Sequence, residues 1–316
     1  MTPTHTVNIL FLGGAKRVAM GRLFIDAAER RGMKCRIFSS EITHNVPISS
    51  IGTVVEGRRW TDADIYDHLS ALCTRHHINI VIPFVDGAVA VAAHLNTLLP
   101  DIFTPTASAE LAERMFDKVL AAETFEAAGL PVPPTWHGGT PSLPLIAKPR
   151  HGSASQGLIM IDTEAQLQDI STPADYLIQR RIDRREEISV DCYVSRISGR
   201  PLAIVPRRRL EVAGGEAVRT ITIDAPDVVA LVDRTLRATG LQGAVTVQLI
   251  RDLDDNRLYI MEINPRLGGG AVCAVHAGAD IPGMILDEAA GILPGPAAYR
   301  PGTEIARYLQ EVVFYN

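Results

Sequence analysis

Glu262, Asn264 and Arg266 stand at alternate positions in the run Met261-Glu-Ile-Asn-Pro-Arg-Leu-Gly-Gly-Gly270. The preceding Arg257-Leu-Tyr-Ile260 is apolar enough to be a strand, and alternate strand residues share a face. Glu262 and Asn264 therefore aim two oxygens the same way, as a hard cation such as Mg²⁺ requires. Pro265 ends the ladder, Arg266 adds a fixed positive charge, and three glycines let backbone approach a ligand closely. Such a segment is suited to a metal-bound polyphosphate, although a plain Gly-rich turn after a strand uses the same residues.

Lys148 is the second chemical signal. It closes the apolar run Pro144-Leu-Ile-Ala-Lys148-Pro149, where another hydrophobic residue is expected. Burying an ammonium costs several kcal/mol unless it is paired, so a partner anion is implied. His151-Gly-Ser-Ala-Ser-Gln-Gly157 follows directly, and its small residues can fold over phosphates and donate backbone N–H groups. Phosphoryl transfer from ATP needs cations along the triphosphate, a metal and exclusion of water.

The elements that must position these residues divide the 316-residue chain. Val7–Leu12, a helix from Val18 to Arg31 and Lys34–Phe38 form a β-α-β opening, followed by a helix over 62–76, a buried strand at 78–83 and a helix over 88–98. Residues 1–103 thus read as a small parallel α/β domain. Gly13-Gly14 with Gly21 lacks the GxGxxG spacing of a dinucleotide site. The amides of this turn can still hold an anion, a substrate carboxylate included. Asp86 follows the strand Ile80-Val-Ile82 at the end where parallel sheets hold ligands; it is a substrate contact or an N-cap. A helix beginning after Thr106-Ala-Ser108 is closed by prolines at 131, 133 and 134. Beyond it, strands near 145, 158–161, 176–180, 188–195, 201–206, 243–250 and 257–263 describe an α+β region. Asp252–Asn256 is a polar hairpin turn.

Bulk properties exclude several classes. The formal charge of −5 gives no reason to expect nucleic acid or an anionic membrane as partner. No run approaches the roughly 18 apolar residues of a membrane span, and the N-terminus lacks a secretory pattern. Cys35, Cys73, Cys192 and Cys273 are far apart, as in reduced core thiols of a cytoplasmic protein.

Taken in order, these segments resemble the ATP-grasp superfamily, of the carbamoyl-phosphate-synthase-like, carboxylate–amine ligase type. The resemblance implies an α/β plus α+β fold: an N-terminal Rossmann-like pre-ATP-grasp domain (1–103), an ATP-grasp small lobe with linking helix and phosphate loop (104–180), and a large lobe with the metal site (181–316). It assigns Lys118, Lys148, Ser153, Ser155 and Gly157 to the ATP phosphates. Gln179, Arg181 and Ile182 fall in the linker that carries adenine. Glu187 takes the ribose, with Glu186 as the alternative register. Gln248, Glu262 and Asn264 become metal ligands; Arg266 and Arg209, with Arg207 as second choice, face the transferring phosphoryl group. Asp86 and His276 fall on the substrate side.

Three positions depart from the family pattern: Arg180 stands where glutamate is common, a glycine usual near Arg184 is missing, and Gln248 replaces a frequent carboxylate. The implied activity is an ATP- and Mg²⁺-dependent (or Mn²⁺-dependent) carboxylate–amine or carboxylate–thiol ligase acting through an acyl-phosphate. Its partners would be a small carboxylate and an amine, with a homodimer left open. Two other readings are a carbamate or small-acid kinase, and an ATP-binding sensor or partner subunit without turnover.

Overall fold

The computed structural model describes residues 5–152, 156–170 and 172–315. β1 (Thr6–Leu12) leads through α1 (Val18–Glu29) to β2 (Lys34–Glu41). β3 (Thr53–Glu56), α2 (Ile65–Arg75), β4 (Ile80–Pro83) and α3 (Asp86–Leu98) follow. The four strands are parallel, in the order β3-β2-β1-β4. Ile9 and Phe11 of β1 pack with Met20 and Phe24 of α1, whereas Leu10 and Leu12 meet Leu69, Leu72 and Val91 of α2 and α3. Burial on both faces is why β1 reads as an unbroken apolar run. β3 escapes the sequence reading because it is an edge strand with only Val55 buried.

One helix was expected after residue 108; there are two, α4 (Ala109–Phe116) and α5 (Lys118–Ala127). Asp117 separates them, extended in backbone, and its carboxylate caps α5 by accepting from the Val119 and Leu120 amides. Lys118 therefore opens a helix instead of riding on one. A small antiparallel sheet follows, built from β5 (Leu145–Pro149), β6 (Ile159–Ile161) and β7 (Tyr176–Arg180) in the order β6-β5-β7, with α6 (Glu164–Gln168) after β6.

The rest of the chain forms β8 (Arg185–Val194), β9 (Pro201–Ala213), β10 (Glu216–Thr222), α7 (Pro226–Thr239), β11 (Gly243–Asp252), β12 (Leu258–Asn264), α8 (Ala271–His276), α9 (Ile281–Ala289) and β13 (Glu304–Ala306). Its six strands make one antiparallel sheet ordered β12-β11-β8-β9-β10-β13. α4, α5 and α7 cover one face through Met115, Phe125, Val228 and Val232. On the other side Tyr193 and Val205 share a core with Phe24 of α1 and Ile281 of α9, which ties the parallel sheet to the large sheet. β9 continues well past the expected end near 206, because Gly214 and Gly215, both at positive φ, turn it into β10. The basic run 207–209 is thus strand, not loop.

Candidate functional site

Strand alternation decides what faces the clefts. Leu145 and Ala147 of β5 are buried in the small sheet's core, so Ile146 and Lys148 point the other way, into a cleft of about 810 Å³ counted to its open mouth. Lys148 Nζ donates to Gln179 Oε1 at 3.0 Å, and Gln179 Nε2 donates to Thr135 Oγ1 at 3.3 Å. Burial pushes the Lys148 ammonium down to about 8; Glu262 opposes this, while Lys118 and Arg185 add to it. Among the described residues no carboxylate lies within ion-pair distance of Lys148. Its bonded partner is the neutral Gln179 amide, so the paired anion expected from its burial is not a carboxylate of the described residues.

Gln179 itself is only 2% exposed and does not line the cleft. Its side chain is the bracket that holds Lys148. Lys118 Nζ donates to the Gly152 carbonyl at 2.7 Å, and Arg150 Nε meets Asp117 at 2.6 Å, so the loop after β5 is fastened to the start of α5. Gly157 has φ +70°, and a Cβ there would strike the Pro149 ring at 2.9 Å. The glycine serves loop packing and is not among the cleft residues. Ser153 and Ser155 lie outside the described residues.

The floor of this cleft is apolar: Ile182, Ile250 and Met261 pack with Tyr259. Arg181 spends its side chain on Asp162 (2.8 Å) and Asp183 (2.7 Å) and its backbone N–H on the Pro144 carbonyl (3.0 Å). Arg180 is neutralised by Asp252 (2.8 Å) and lies over the Tyr259 ring. On β8, Glu187 lines the cleft, whereas Glu186 turns to the opposite face and meets Arg208 and Arg251.

At the far end of the cleft a bulge shapes the acidic cluster. Gln248 pairs with Glu262, but Leu249 pairs with Ile260, leaving Met261 as the extra residue. Ile260 and Ile263 stay in the core while Met261 and Glu262, though consecutive, both line the cleft. Asn264 Nδ2 donates to Glu262 Oε1 at 2.6 Å, and Gln248 Nε2 lies 3.5 Å from the same oxygen.

Glu262 also borders a second cleft, walled by Arg17, Arg207, Arg209, Arg266 and Gly268–Gly270. Arg207 and Arg209 share a face of β9 and Arg208 takes the other. Arg207 is buried against Asp191 at 2.7 Å, 4% and 1% exposed, and a Cβ on Gly270 would run into its guanidinium. Arg209 reaches Gly215 O at 3.0 Å and Glu187 at 3.5 Å. Arg266 Nε donates to Asp86 Oδ1 at 2.6 Å. Asp86 is thus neither the N-cap of α3, a place held by Val85, nor a lone substrate ligand; it orients Arg266. His276 is exposed at the end of α8, whose Ala271, Cys273 and Ala274 face the core. It lines neither of the two clefts. The Gly13-Gly14 turn is likewise occupied: the Gly14 and Ala15 amides bond the carboxylate of Glu41, which Ser39 also meets at 2.6 Å.

A family profile described as "ATP-grasp in the biosynthetic pathway with Ter operon" matches residues 173–311. The biotin carboxylase domain of Hydrogenobacter thermophilus 2-oxoglutarate carboxylase, solved with MgADP, ADP and bicarbonate, superposes with a TM-score of 0.71. It is 17% identical, over 91% of this chain and 70% of that one. Staphylococcus aureus N5-carboxyaminoimidazole synthetase with ADP gives a TM-score of 0.72 at 17% identity, over 94% and 80%. No curated protein sequence matches the chain. The ATP-grasp profile thus covers the C-terminal part of the chain, and the two solved structures share its fold.

The donor set of Gln248, Glu262 and Asn264 can be tested against a metal ion. Glu262 is its one carboxylate, and among the described residues no three His, Cys, Asp or Glu gather as a metal group. A carboxylate with two side-chain amides is an all-oxygen donor set once each amide turns its oxygen inward. It fits one hard cation completed by phosphate oxygens and water. The Cys thiols are no rivals: burial pushes Cys35 and Cys73 up to about 12 and Cys273 to about 11. Sequence reasoning missed Met261, Ile250 and Arg17 as cleft residues. Ile250 could have been found two residues from Gln248 on one strand face; Met261 could not, because the bulge breaks the alternation. No helix is long and apolar enough to cross a membrane among the described residues.

Proposed function

We propose that this chain is an ATP-dependent carboxylate–amine ligase that activates its acid as an acyl-phosphate. One observation carries the reading: Glu262 borders both clefts, with Lys148 on the first and Arg266 on the second. A triphosphate laid along the first cleft would present its terminal phosphoryl group to an acid held in the second. Lys118 and Lys148 neutralise the triphosphate, and the apolar floor around Ile250 and Met261 accepts the base. Glu187, the cleft-facing member of its pair, takes the ribose.

Gln248, Glu262 and Asn264 would hold Mg²⁺, which when bound screens phosphate charge and orients the terminal phosphoryl group. Arg266, fixed by Asp86, and Arg209 stabilise charge as phosphorus–oxygen bonding passes from ADP to the acid. An amine then attacks the acyl carbon, and phosphate leaves. No side chain is needed as a covalent nucleophile, because positioning and preorganised charge supply the rate. His151, Gly152 and Gln156, which line the first cleft, would help keep water from the acyl-phosphate.

A second reading is phosphorylation of a very small acid, favoured by the bicarbonate held in the H. thermophilus carboxylase structure. ADP release measured against pools of acids and amines, bicarbonate among them, separates the two. Release that needs both an acid and an amine supports the ligase. ATP binding without ADP release from any pool would overturn turnover altogether. Glu262→Gln is expected to lower Mg²⁺-dependent ADP release on the order of 10²–10³-fold, with an unchanged melting temperature.

A further inference from the structure

The two lysines of the first cleft come from different elements, Lys118 from the start of α5 and Lys148 from near the end of β5. Burial lowers the Lys148 ammonium, and Lys118 lowers it further, so each cation opposes the approach of the other. A cleft that presents both to one anion must hold them together against that repulsion before the anion arrives. The residues beside them do so. Asp117 directly precedes Lys118, Arg150 follows Lys148 by two positions, and their side chains form an ion pair at 2.6 Å.

This pair is the centre of a compact joint. Asp117 is buried and divides its carboxylate between two tasks. One oxygen accepts from the Val119 and Leu120 amides at 3.1 Å, which caps α5, and the other accepts from Arg150 Nε. The cap alone does not call for an acid, since the Ser108 hydroxyl caps α4. The carboxylate supplies the second oxygen that reaches across to the strand. In return the Arg150 carbonyl accepts from the Lys118 amide at 3.0 Å, and the Arg150 amide donates to the Asp175 carbonyl at 2.8 Å. Lys118 Nζ closes the ring on the Gly152 carbonyl. Neither Asp117 nor Arg150 lines the first cleft; both line a separate open pocket with Thr172, Asp175 and Tyr176.

Resting on the nucleotide role given to the first cleft in the ligase reading, we propose that Asp117 and Arg150 are positioning residues for the ATP triphosphate, setting the distance between Lys118 and Lys148 without touching the nucleotide. The joint preorganises the cleft. A triphosphate meets two cations already placed and spends no binding free energy on bringing them together.

Calorimetry of the full chain with Mg²⁺ and a non-hydrolysable imido analogue of ATP tests this, with the melting temperature recorded for each variant. Asp117→Asn keeps an oxygen for the cap and gives up the ion pair. Arg150→Met keeps the stem and removes the guanidinium, whereas Arg150→Lys retains the charge without the fork. Asp117→Asn and Arg150→Met are each expected to weaken the analogue about tenfold, the size of one charge-assisted contact, and the double variant no more than either alone. Arg150→Lys should recover part of the loss. The deciding readout is coupling to Lys118, which a contact serving the fold alone would not move. Lys118→Met should weaken the analogue about tenfold in the wild-type background and less than about threefold in Arg150→Met, where the lysine is no longer placed.

Unchanged affinity in Asp117→Asn and Arg150→Met, or a Lys118→Met effect as large in Arg150→Met as in the wild type, would overturn the assignment and leave the nucleotide cleft standing. A wild type that does not bind the analogue would sink the nucleotide reading and the joint together. The assignment depends on nucleotide binding alone, so absence of acid–amine turnover would refute the ligase and leave the pair in place.

Discussion

Where the two clefts meet at Glu262, the lysines proposed for the nucleotide and the arginines proposed for the substrate are held differently. On the nucleotide side Lys148 and Lys118 are anchored by neutral oxygens, those of the Gln179 amide and the Gly152 carbonyl. On the substrate side Arg207 and Arg266 are anchored by the carboxylates of Asp191 and Asp86, while Arg209 is shared between the Gly215 carbonyl and, at longer range, Glu187. A neutral anchor fixes position and leaves the full charge for an incoming anion. A carboxylate anchor fixes direction and cancels most of the field. The first arrangement is fitted to a highly charged triphosphate; the second orients donors around a smaller charge that moves during transfer.

The largest break in this contrast comes from removing a carboxylate anchor that is fully buried. Asp191→Ala leaves Arg207 inside the sheet without its partner, at a cost of about 3–5 kcal/mol of folding stability. Chemical denaturation measures it, and a loss below about 1 kcal/mol would show that the pair is solvated and the contrast overstated. The double variant Asp191→Leu with Arg207→Met should recover most of the loss, because replacing a buried pair by apolar groups is far less costly than halving it. Its activity should not return.

Next in size is exchanging one kind of anchor for the other. Gln179→Glu keeps the shape of the bracket but gives Lys148 a carboxylate beside its ammonium. The pairing raises the Lys148 pKa and cancels the charge offered to the triphosphate, so ATP affinity should fall about tenfold while stability changes little. Unchanged affinity by calorimetry would mean that net charge at Lys148 does not matter to nucleotide binding.

Much of the first cleft was legible in the sequence, and the reason is strand periodicity. Lys148 at the end of an apolar strand, and Glu262 with Asn264 two apart, announce their faces from local spacing alone. The basic run shows how far that reach extends. Alternation sorts Arg207 and Arg209 from Arg208 only once β9 is known to continue past 206, and the strand that prolongs it, β10, gave no periodic signal of its own. Gln179 sits in the linker the resemblance assigns to adenine, and its side chain lies on the buried face of β7, where no local spacing shows that it holds Lys148. Asp86 was placed at the correct strand end, but its partner lies 180 residues away, a distance no local pattern spans. Arg17 was invisible for the same reason. It lines the second cleft only because β1 and β4 are neighbours whose ends open onto β12.

The smallest effect is a pH dependence, and its sign separates binding from folding. Burial brings Lys148 to about 8 in the ligand-free protein. Phosphate oxygens beside it would raise that value, so binding takes up a proton as pH passes 8. ATP affinity should then fall by up to about tenfold per pH unit above 8. Folding moves the other way: the unfolded chain binds this proton more tightly than the native one between about 8 and the ordinary lysine range. The unfolded state then holds more protons, so the stability of the ligand-free protein rises with pH across that window. Opposite slopes for affinity and stability, both flattened by Lys148→Arg, would tie the effect to one ammonium on a neutral anchor. Parallel slopes, or a wild-type profile that Lys148→Arg leaves intact, would place the titrating group elsewhere and remove the pH argument for the nucleotide-side design.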